Sequence, residues 1–397
     1  MKKLMIVGAS VLQLPAILRA KEMGLQVAVV DYNPKAIGIT YADKYYNAST
    51  MDEDAVLSAA EDYQPDGIMT IATDMPMRGV AKASDKLHLH SISYETAVKA
   101  TDKYDMIKAF KEYGVPSPWY FVVDSLGELK KHRQDVVFPC VIKPTDNAGS
   151  HGVAKVFSFA ELLDNYEYAH SCSRHGKVII EEFLDGPEVS VEVMVFGGEV
   201  HILQITDKIT TEAPHFVEMG HTQPSQLSED IQEKIRAVAD AACKAIGIDK
   251  GPAHVEMKIT SRGPVMIELG ARMGGDCITS FLVPLSTGID MVGATIRVAL
   301  GEEPIIKPTI HCGSAIRYFE APTGTIKAFE NIEKAKLFPG VKQITFTKGI
   351  GDESTPILCS NDRIGFVIAQ GKDAKDAASI CDKAMQCIII RVSNENN

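Results

Sequence analysis

The sequence predicts an α/β protein of roughly two to four domains, the first of which is built on a small parallel sheet. Three observations predict this class. The chain has 397 residues, more than one domain usually takes. In residues 1–100 apolar strands alternate with helical segments, which is the pattern of parallel strands joined by right-handed crossovers. In residues 251–270 two acid-bearing strands flank a short turn, which is typical of an antiparallel hairpin.

Composition and charge are those of an ordinary globular protein. Hydrophobic residues make up 45% of the chain and charged residues 23%. The formal net charge is −11, which argues against nucleic acid as a partner because binding to a phosphate backbone needs a basic face. No apolar run reaches the ~18 residues of a membrane span, so we expect no membrane partner. The expected partners are therefore small molecules.

Cysteine use and the N-terminus predict a cytoplasmic protein. The eight cysteines are scattered and include no C-x-x-C pair, so we interpret them as reduced thiols. Residues 1–7 resemble the start of a signal peptide, but they lack an A-x-A-like cleavage site and Gly8 interrupts them at a strand-to-helix turn. We therefore interpret this segment as the first strand of the first domain.

The alternation in residues 1–100 also raises the question of a dinucleotide site. It predicts strands at 4–8, 27–31 and 67–72 and helices at 12–23 and 53–63. Gly8 after the first strand and Asp31 at the end of the second match part of the fingerprint for NAD. The second and third glycines of G-x-G-x-x-G are missing, however, so we assign no NAD binding.

Residues 136–194 carry the pattern of a nucleotide site. Lys143 ends an apolar strand, and its charge suits a phosphate. Loop 146–152 is rich in small residues, whose backbone N–H groups can approach phosphate oxygens closely. A second apolar strand ends in Glu181 and Glu182, and the segment after it can stack on a purine and hydrogen-bond its edge. The chain has no G-x-x-x-x-G-K-[ST] motif, so this is not a Walker A loop.

Two acids further along the chain predict a metal site. Glu256 and Glu268 lie in strands joined by a turn at 261–263, and in an antiparallel pair both carboxylates can share one face. Carboxylate oxygens, together with bridging phosphates, are the ligands that Mg²⁺ prefers. We expect Arg272, four residues after Glu268, to point into the same site.

This order of parts resembles the ATP-grasp superfamily, and within it the carboxylate–amine ligases such as the L-amino-acid ligases. Biotin carboxylase and carbamoyl-phosphate synthase are more distant members. The resemblance covers nearly the whole chain, and it implies a three-domain ATP-grasp architecture with a Rossmann-like N-terminal sheet and an α+β grasp region. The implied domains are residues 1–100, 101–304 with a lid subdomain at about 118–194, and 305–397.

The resemblance also implies nucleotide contacts residue by residue. Lys103 matches a phosphate contact, Glu182 and Leu184 match backbone contacts to the adenine edge, and Glu188 matches the acid that holds the ribose. His221 matches a histidine near the ribose and phosphates in the carbamoyl-phosphate synthase branch. Simple surface exposure is the alternative for Glu181 and His221. The expected nucleotide-binding set is Lys103, Lys143, Gly149, Ser150, Gly152, Glu181, Glu182, Phe183, Leu184, Glu188 and His221.

The segment after Glu268 departs from the superfamily pattern. The commonest form is Glu-x-Asn, with the Asn as a further metal ligand, whereas this chain has Gly270 there. The expected cofactors are ATP and one or two Mg²⁺ ions, for which Mn²⁺ can substitute. Arg272 is the expected catalytic residue. Gly274 and Gly275 are expected to offer backbone N–H groups to a phosphate or carboxylate.

Two more residues are candidates for contact with the acceptor substrate. Asp74 follows a predicted strand of the first domain, although we favour its interpretation as the N-cap of a helix that begins at Pro76. Arg317 lies in a predicted strand at 314–319, where pairing at a domain interface is an equal alternative.

Periodicity and capping predict several elements outside the site. Thr101 is the expected N-cap of a helix that runs to Tyr113. Apolar spacing predicts a helix at 231–246, which Gly247 ends. Near the C-terminus we expect a hairpin-like pairing of 357–359 with 365–369, then a helix at 374–385 and a strand at 387–392.

The sequence thus predicts an ATP-dependent ligase that joins a carboxylate to an amine through an acyl phosphate, with release of ADP and phosphate. Likeness to the L-amino-acid ligases favours an amino acid as one substrate. A bicarbonate-activating carboxylase is the second hypothesis, and a nucleotide-binding protein without catalysis is the third. The acid and the amine stay unnamed, and a homodimer is a fair expectation.

Overall fold

In the part of the chain that the structure describes, helices pack against four sheets. The computed structural model describes residues 1–147, 151–212 and 216–393. The N-terminal sheet is parallel, and the strands of the other three sheets pair antiparallel. This confirms the predicted α/β class with a parallel N-terminal sheet and an α+β remainder.

The N-terminal region is a four-stranded parallel sheet with helices around it. Its elements are β1 (Lys3–Val7), α1 (Leu14–Glu22), β2 (Gln26–Asp31), β3 (Lys44–Asn47), α2 (Glu53–Tyr63), β4 (Gly67–Met69), α3 (Pro76–Leu87) and α4 (Tyr94–Lys99). The strand order is β3-β2-β1-β4. Nearly every residue of β1 and β2 is buried, as expected for parallel strands covered on both faces. Asp31, the residue that suggested NAD, accepts a hydrogen bond from the Ala9 amide and so holds the first loop.

The next unit is a four-stranded antiparallel sheet, which we name the small sheet. Its region contains α5 (Lys103–Glu112), β5 (Tyr120–Val123), α6 (Leu126–Lys131), β6 (Cys140–Pro144), β7 (Ala154–Val156), α7 (Phe159–Ser171) and β8 (Val178–Glu182). The strand order is β5-β8-β6-β7. The small sheet has a core of its own, which includes the fully buried Leu129, Ile142 and Leu162.

The predicted cap of α5 is wrong by one residue. The Asp102 side chain accepts hydrogen bonds from the amides of Tyr104 and Asp105 and therefore caps the helix. Thr101 instead donates its hydroxyl hydrogen to the Ala97 carbonyl at the end of α4. Both side chains are good caps, and the turn from α4 into α5 decides between them.

The third unit is an eight-stranded sheet, which we name the large sheet. Its first part contains β9 (Glu188–Phe196), β10 (Glu199–Thr210), β11 (Glu218–Gln223), α8 (Glu229–Ile246), β12 (Gly251–Thr260) and β13 (Gly263–Gly270). A π-helical turn at Ile278–Leu282, α9 (Val283–Thr287) and α10 (Met291–Ala299) follow. The expected lid subdomain, 118–194, includes most of β9, but β9 pairs with β10 and β12 in the large sheet.

The C-terminal region adds strands to the large sheet. It contains β14 (Gly313–Phe319), β15 (Gly324–Glu330), α11 (Ile332–Lys336), β16 (Val341–Phe346), β17 (Glu353–Ser354), β18 (Gly365–Gly371), α12 (Ala374–Cys387) and β19 (Ile389–Ser393). The large sheet has the order β13-β12-β9-β10-β11-β14-β18-β16, and β17-β15-β19 form a small fourth sheet. The predicted hairpin is wrong, because 357–359 is not a strand and β18 pairs with β14 and β16.

A membrane-spanning helix must be both long and apolar. Within the described ranges, no single helix meets both criteria. One pair, Ile278–Thr287 with Met291–Ala299, meets them together but is bent by 116°.

Candidate active site

A deep cleft separates the small sheet from one face of the large sheet. It contains about 1030 Å³ of space between protein atoms, part of which is open to solvent. Residues of both sheets line it, so each side of the cleft is built by a different core. The lining residues are Lys103, Val141, Lys143, Pro144, Asn147, His151, Val153, Glu181, Glu182, Phe183, Leu184, Glu188, Phe216, Glu218, Glu256, Lys258, Ile267 and Glu268.

Lys143 lies in β6, and Glu181 of the neighbouring β8 binds it. The antiparallel register places Glu181 opposite Val141, and Lys143, two residues further, lies on the same face of the sheet. The two side chains form an ion pair and are only 6% and 10% exposed. Glu181 is therefore not a surface acid, and Lys143 presents a nearly buried positive charge to the cleft.

Lys103 joins the small sheet to the large one. Its ammonium group lies 3.1 Å from a Glu268 carboxylate oxygen and donates a hydrogen bond to the Asn147 carbonyl at 2.8 Å. The backbone amide of Lys103 also donates to the Thr145 carbonyl. The charge of Lys103 holds the pKa of Glu268 below its usual value, so Glu268 is an ionised carboxylate.

The two acids of the predicted metal site face each other across the hairpin. Glu256 of β12 pairs in register with Glu268 of β13, so both carboxylates project from one face of the large sheet. A β-bulge follows directly, between Glu256 and Met257. The predicted turn at 261–263 and the shared face are therefore both present in the structure.

Lys208 of β10 is a site residue that the sequence reasoning missed. Its side chain is 2% exposed, and its ammonium group lies 2.6 Å from Glu188, 2.9 Å from Glu256 and 3.5 Å from Glu218. Burial lowers the pKa of a lysine, but these three carboxylates outweigh it and hold the pKa of Lys208 well above its usual value. Lys208 thus links the acid expected at the ribose to an acid expected at the metal.

His254 holds the other side of Glu256. One ring nitrogen lies 3.0 Å from Glu192 and the other lies 3.0 Å from Glu256. Burial opposes its protonation, but the two carboxylates raise the pKa of His254 to about 9. Lys208 and the histidine hold the pKa of Glu256 well below its usual value despite burial. Glu256 therefore carries a full negative charge at neutral pH.

The donor set fits magnesium bound together with a nucleotide. Among residues 1–147, 151–212 and 216–393, no group of three or more histidine, cysteine, aspartate or glutamate side chains is arranged to hold a metal. Mg²⁺ commonly takes one or two carboxylates from the protein and completes its shell with phosphate oxygens and water. Glu256 and Glu268 supply such a pair beside Lys103, the residue expected at the phosphates.

The hinge between the small and large sheets forms the end of the cleft. Glu182 binds Arg262 with both carboxylate oxygens at 2.8 Å, and the Lys155 ammonium lies 3.5 Å from the centre of the Phe183 ring. Leu184 is buried, and Glu188 contacts Lys258 as well as Lys208. A Cβ at Gly186 would lie 2.0 Å from the Ile259 carbonyl, so only glycine lets the hinge approach β12 this closely.

The predicted phosphate loop is described only in part. Gly149 and Ser150 lie outside the described residues. Gly152 has φ +78°, the left-handed region that glycine favours, and His151 lines the cleft. Asp146 at the start of the loop accepts hydrogen bonds from the Ser173 hydroxyl and from the amides of Arg174 and His175. These bonds anchor the base of the loop to the turn before β8.

A second, smaller pocket continues from the cleft toward the N-terminal sheet. It encloses about 370 Å³ and shares Lys103, Asn147 and Glu268 with the cleft. Asp74 and Gly270 line its far side. The two pockets together give a path from the hinge, past the paired glutamates, to the segment that follows β13.

Arg272 lies just beyond this pocket and binds Asp74. The distances are 2.8 Å from Nε to Oδ1 and 2.9 Å from Nη2 to Oδ2. Our interpretation of Asp74 as the N-cap of α3 is wrong, because Met75 occupies the cap position and no side chain caps the helix. The carboxylate turns toward the arginine instead.

Of the two glycines in the same segment, Gly274 lies close to His254. A Cβ at Gly274 would lie 2.6 Å from His254 Nδ1, and the Gly274 carbonyl accepts a hydrogen bond from the Thr279 hydroxyl. The Gly275 carbonyl accepts one from the Ile278 amide. Their carbonyls are thus used within the fold, and a role for their N–H groups stays a prediction.

His221 is buried in β11, not exposed in a polar loop as the alternative interpretation had it. It is 1% exposed, and its Nε2 lies 3.3 Å from Asp276. Within the described residues, its buried Nδ1 has no hydrogen-bond partner. Arg363 of the C-terminal region binds Asp276 through both terminal nitrogens, at 2.7 and 2.9 Å, and lies 3.8 Å from the centre of the Tyr318 ring.

Arg317 takes up contacts at an interface. Its Nη1 donates to the His221 carbonyl, and its Nε lies 3.4 Å from Asp382 of α12. It does not line either pocket described above. Of the two interpretations given for Arg317, these contacts match pairing between regions of the fold.

Lys208, Asp276 and Arg363 were absent from the sequence reasoning. Lys208 carried no local signal, because its acidic partners lie in β9, β11 and β12, which only the strand order brings together. Arg363 follows a short 3₁₀ turn at Ser360–Asp362 and carried no such signal either.

Comparison with known proteins gives two family matches. Residues 136–280 match the ATP-grasp domain and residues 317–393 match the L-amino acid ligase C-terminal domain 2. A formate-dependent phosphoribosylglycinamide formyltransferase of Saccharolobus solfataricus is 23% identical over 98% of this chain and 97% of its own. The alanine–anticapsin ligase of Bacillus subtilis is 29% identical over 55% of this chain and 51% of its own. The L-amino acid ligase structure from Bacillus licheniformis shares the fold, with a TM-score of 0.84, 24% identity and 99% of each chain covered.

Proposed function

Because this chain belongs to the ATP-grasp ligases, ADP-forming enzymes that make carbon–nitrogen bonds, we propose that it joins a carboxylate to an amine. The carboxylate attacks the γ-phosphoryl group of ATP and gives an acyl phosphate and ADP. The amine then attacks the acyl carbon, loses a proton and expels phosphate, which leaves an amide. One observation carries this proposal: the register that pairs Glu256 with Glu268 beside Lys103, with Arg272 following.

The nucleotide is proposed to lie in the cleft between the two sheets. Phe183 and Leu184 of the hinge offer apolar surface to the purine, and Glu188 offers carboxylate oxygens to the ribose hydroxyls. Lys143 and Lys103 both line this cleft, both lower the pKa of Glu268, and together supply positive charge for the phosphates. The residues for base, sugar and phosphate therefore follow one another along the cleft.

Glu256 and Glu268 would hold magnesium. A bound Mg²⁺ ion neutralises the charge of the transferring phosphoryl group. Lys208 and His254 keep Glu256 ionised and oriented toward the cleft. Gly270 has no side chain that could supply a further oxygen ligand. The binding of one or two ions, and the substitution of Mn²⁺ for Mg²⁺, stay predictions.

Arg272 is proposed to stabilise the acyl phosphate and the oxyanion that forms when the amine attacks. Its guanidinium group lies beside the pocket that continues from Lys103 and Glu268, where the γ-phosphoryl group would leave the cleft. A planar fork of N–H donors suits two oxygens of a carboxylate or phosphoryl group. Amide groups of Gly274 and Gly275 would add donors to the same anion.

An amino acid is the proposed class for at least one substrate. The match of residues 317–393 to an L-amino acid ligase domain supports it, as does the likeness to an alanine–anticapsin ligase. Glu218, whose side chain is 27% exposed, lines the cleft and offers carboxylate oxygens to a polar group of a substrate. Cytoplasmic location and a homodimer also stay predictions, the first supported by eight unpaired cysteines.

ADP release tests the proposal. The purified protein is incubated with Mg·ATP and with amino acids, hydroxy acids and bicarbonate, singly and in pairs. We expect release that needs a carboxylate and an amine together, and mass spectrometry should then find the amide. Release that needs bicarbonate would support the carboxylase alternative and contradict the proposal. The Glu268→Gln variant is the control that assigns the activity to this protein.

A further inference from the structure

The ion pair between Arg272 and Asp74 joins the N-terminal region to the end of β13. Asp74 lies along one edge of the guanidinium group: Oδ2 accepts a hydrogen bond from Nη2 at 2.9 Å, and Oδ1 lies 2.8 Å from Nε. The side chains are 11% and 21% exposed, so water competes little for either group. Because the Met273 carbonyl also accepts a hydrogen bond from Nη1 at 3.3 Å, both the position and the orientation of the guanidinium group are held.

Gly270 leaves the space that this pair fills. A Cβ at position 270 would lie 2.5 Å from Asp74 Oδ1 and 3.0 Å from both Cζ and Nε of Arg272. The glycine is the last residue of β13, two residues after Glu268. Any larger side chain there would push the carboxylate and the guanidinium group apart, so Gly270 and the ion pair belong together.

The backbone before Asp74 is also held against the arginine segment. The Ala72 amide donates a hydrogen bond to the Met273 carbonyl at 3.2 Å. Ala72 has φ +63°, a left-handed conformation that residues with a Cβ rarely adopt. Such backbone is kept when its surroundings hold it and is concentrated at functional sites. The chain thus leaves β4 in a strained turn that delivers Asp74 to Arg272.

The contacts of Arg272 leave N–H donors for a ligand. The guanidinium group has five. Nη2 donates one to Asp74 and Nη1 donates one to the Met273 carbonyl at 3.3 Å, while the buried Nε lies 2.8 Å from Asp74 Oδ1 and makes no hydrogen bond within the described residues. Of the remaining donors, one lies on each terminal nitrogen. Two oxygens of one anion could bind these two together.

We propose that Asp74 is a positioning residue, which aims the free N–H groups of Arg272 at the acyl phosphate. This inference rests on the proposed function and gives the N-terminal region a direct part in it. Asp74 does not contact the substrate, and it does not block the N–H groups of Arg272 that bind the acyl phosphate. It stays bound to Arg272 through the reaction.

Four variants test the proposal: Asp74→Asn, Asp74→Ala, Gly270→Ala and the Asp74→Ala/Gly270→Ala double variant. Asparagine keeps the size of the side chain but places an N–H₂ group or a single oxygen against the arginine. The alanine at 270 leaves the Asp74 carboxylate in the protein but displaces it, and the atoms it meets are ends of flexible side chains, so the fold should survive. Arg19→Gln is the control, because it removes another Arg–Asp pair, with Asp290, the N-cap of α10, and neither residue lines the cleft or the smaller pocket.

With the substrate pair from the ADP screen, we expect kcat to fall about 100-fold in both Asp74 variants, since a misplacement of ~1 Å at a reacting group has an effect of that size. Gly270→Ala should show a similar loss, and the double variant should be no worse than Asp74→Ala. Mg·ATP affinity by calorimetry and the melting temperature should change little. A conservative variant, Asp74→Glu, keeps the carboxylate and should therefore have a higher kcat than Asp74→Ala. The control Arg19→Gln should have the kcat of wild type.

Each other outcome contradicts the proposal in its own way. A raised kcat in Asp74→Ala would mean that Asp74 blocks Arg272. A raised KM in Asp74→Ala with a normal Gly270→Ala would mean that Asp74 binds substrate directly. Unchanged kcat in both would leave the pair without a role in the reaction. If wild type itself releases no ADP with any pair, the proposed function fails and this inference with it, a result that no Asp74 variant can imitate.

Discussion

The two ends of the site are held by different kinds of ion pair. At the proposed nucleotide end, the buried cations are lysines that meet glutamates: Lys143 with Glu181, Lys103 with Glu268, and Lys208 with Glu188, Glu218 and Glu256. At the far end, arginines meet aspartates through two contacts each: Arg272 with Asp74 and Arg363 with Asp276.

This difference suggests that ion pairs at one end can exchange partners, whereas those at the other end stay fixed. An ammonium group is a compact point charge that can turn from a glutamate to a phosphate, whereas a guanidinium group in a bidentate pair is fixed in plane and position. When ATP and Mg²⁺ bind, phosphate oxygens would replace glutamates as partners of the lysines, and Mg²⁺ would replace lysines as the partner of the glutamates. The arginine–aspartate pairs would stay as they are and hold the reacting groups in place. The predictions below test whether the two ends behave in these ways.

The largest effect is expected for Glu268→Gln. It removes an anionic ligand from the exchangeable end and leaves Lys103 without its partner, so Mg·ATP binding and phosphoryl transfer should fall together, the rate by about 10²–10³-fold. Calorimetry with Mg·ATP and ADP release measure the two. Glu302→Gln, which removes an acid paired with Lys2 at the surface, should behave as wild type. Normal Mg·ATP affinity in the Glu268 variant would remove this acid from the metal site.

Lys208→Met should lower stability by about 3–5 kcal/mol in a chelating buffer, because it leaves three partly buried carboxylates without their shared cation. Mg²⁺ should restore part of this loss in the variant and much less in wild type, since the ion supplies the missing positive charge. Urea unfolding with and without Mg²⁺ measures both. Equal Mg²⁺ effects on the two proteins would mean that Lys208 does not share the metal site.

Lys143→Met should weaken ATP binding by about 10–100-fold, the usual effect of losing a hydrogen bond to a charged group. Lys130→Met is a matched control in the same unit, because Lys130 is an exposed lysine of α6. Its ATP affinity should equal that of wild type. If both variants bind ATP equally well, the cleft does not hold the phosphates at β6.

The smallest effect concerns pH. His254 has a pKa of about 9 in the folded protein against an ordinary value of about 6.5, so its stabilising contribution is complete below pH ~6.5 and is lost as pH rises through about 9. In chelating buffer, the stability advantage of wild type over His254→Gln should therefore shrink between these pH values. A constant difference from pH 6 to 9.5, measured by urea unfolding, would contradict the charged histidine.

The grouping of residues at the proposed nucleotide end could be predicted largely from sequence because these residues lie in short motifs. A lysine at a strand end predicted Lys143, and a hairpin of acid-bearing strands predicted the pairing of Glu256 with Glu268. Lys208 was missed because its partners come from β9, β11 and β12, and only the strand order brings these together.

The far end could not be predicted in the same way. Asp74 and Arg272 are 198 positions apart, and Asp276 and Arg363 are 87 apart. Nothing local to Asp74 distinguishes a helix cap from an arginine partner, which is why the cap seemed the better interpretation of an aspartate before Pro76. The choice of Asp102 over Thr101 as a cap, and the pairing of β18, likewise depend on tertiary contacts.

The most direct test of the account follows oxygen from the carboxylate to phosphate. The active acid from the ADP screen is labelled with ¹⁸O in its carboxyl group and incubated with Mg·ATP and the amine. Activation as an acyl phosphate transfers one carboxyl oxygen to phosphate when the amine displaces it, so mass spectrometry should find one ¹⁸O in each phosphate released. Phosphate without label, formed at the same rate as amide, would show that the carboxylate is never phosphorylated and would contradict the account.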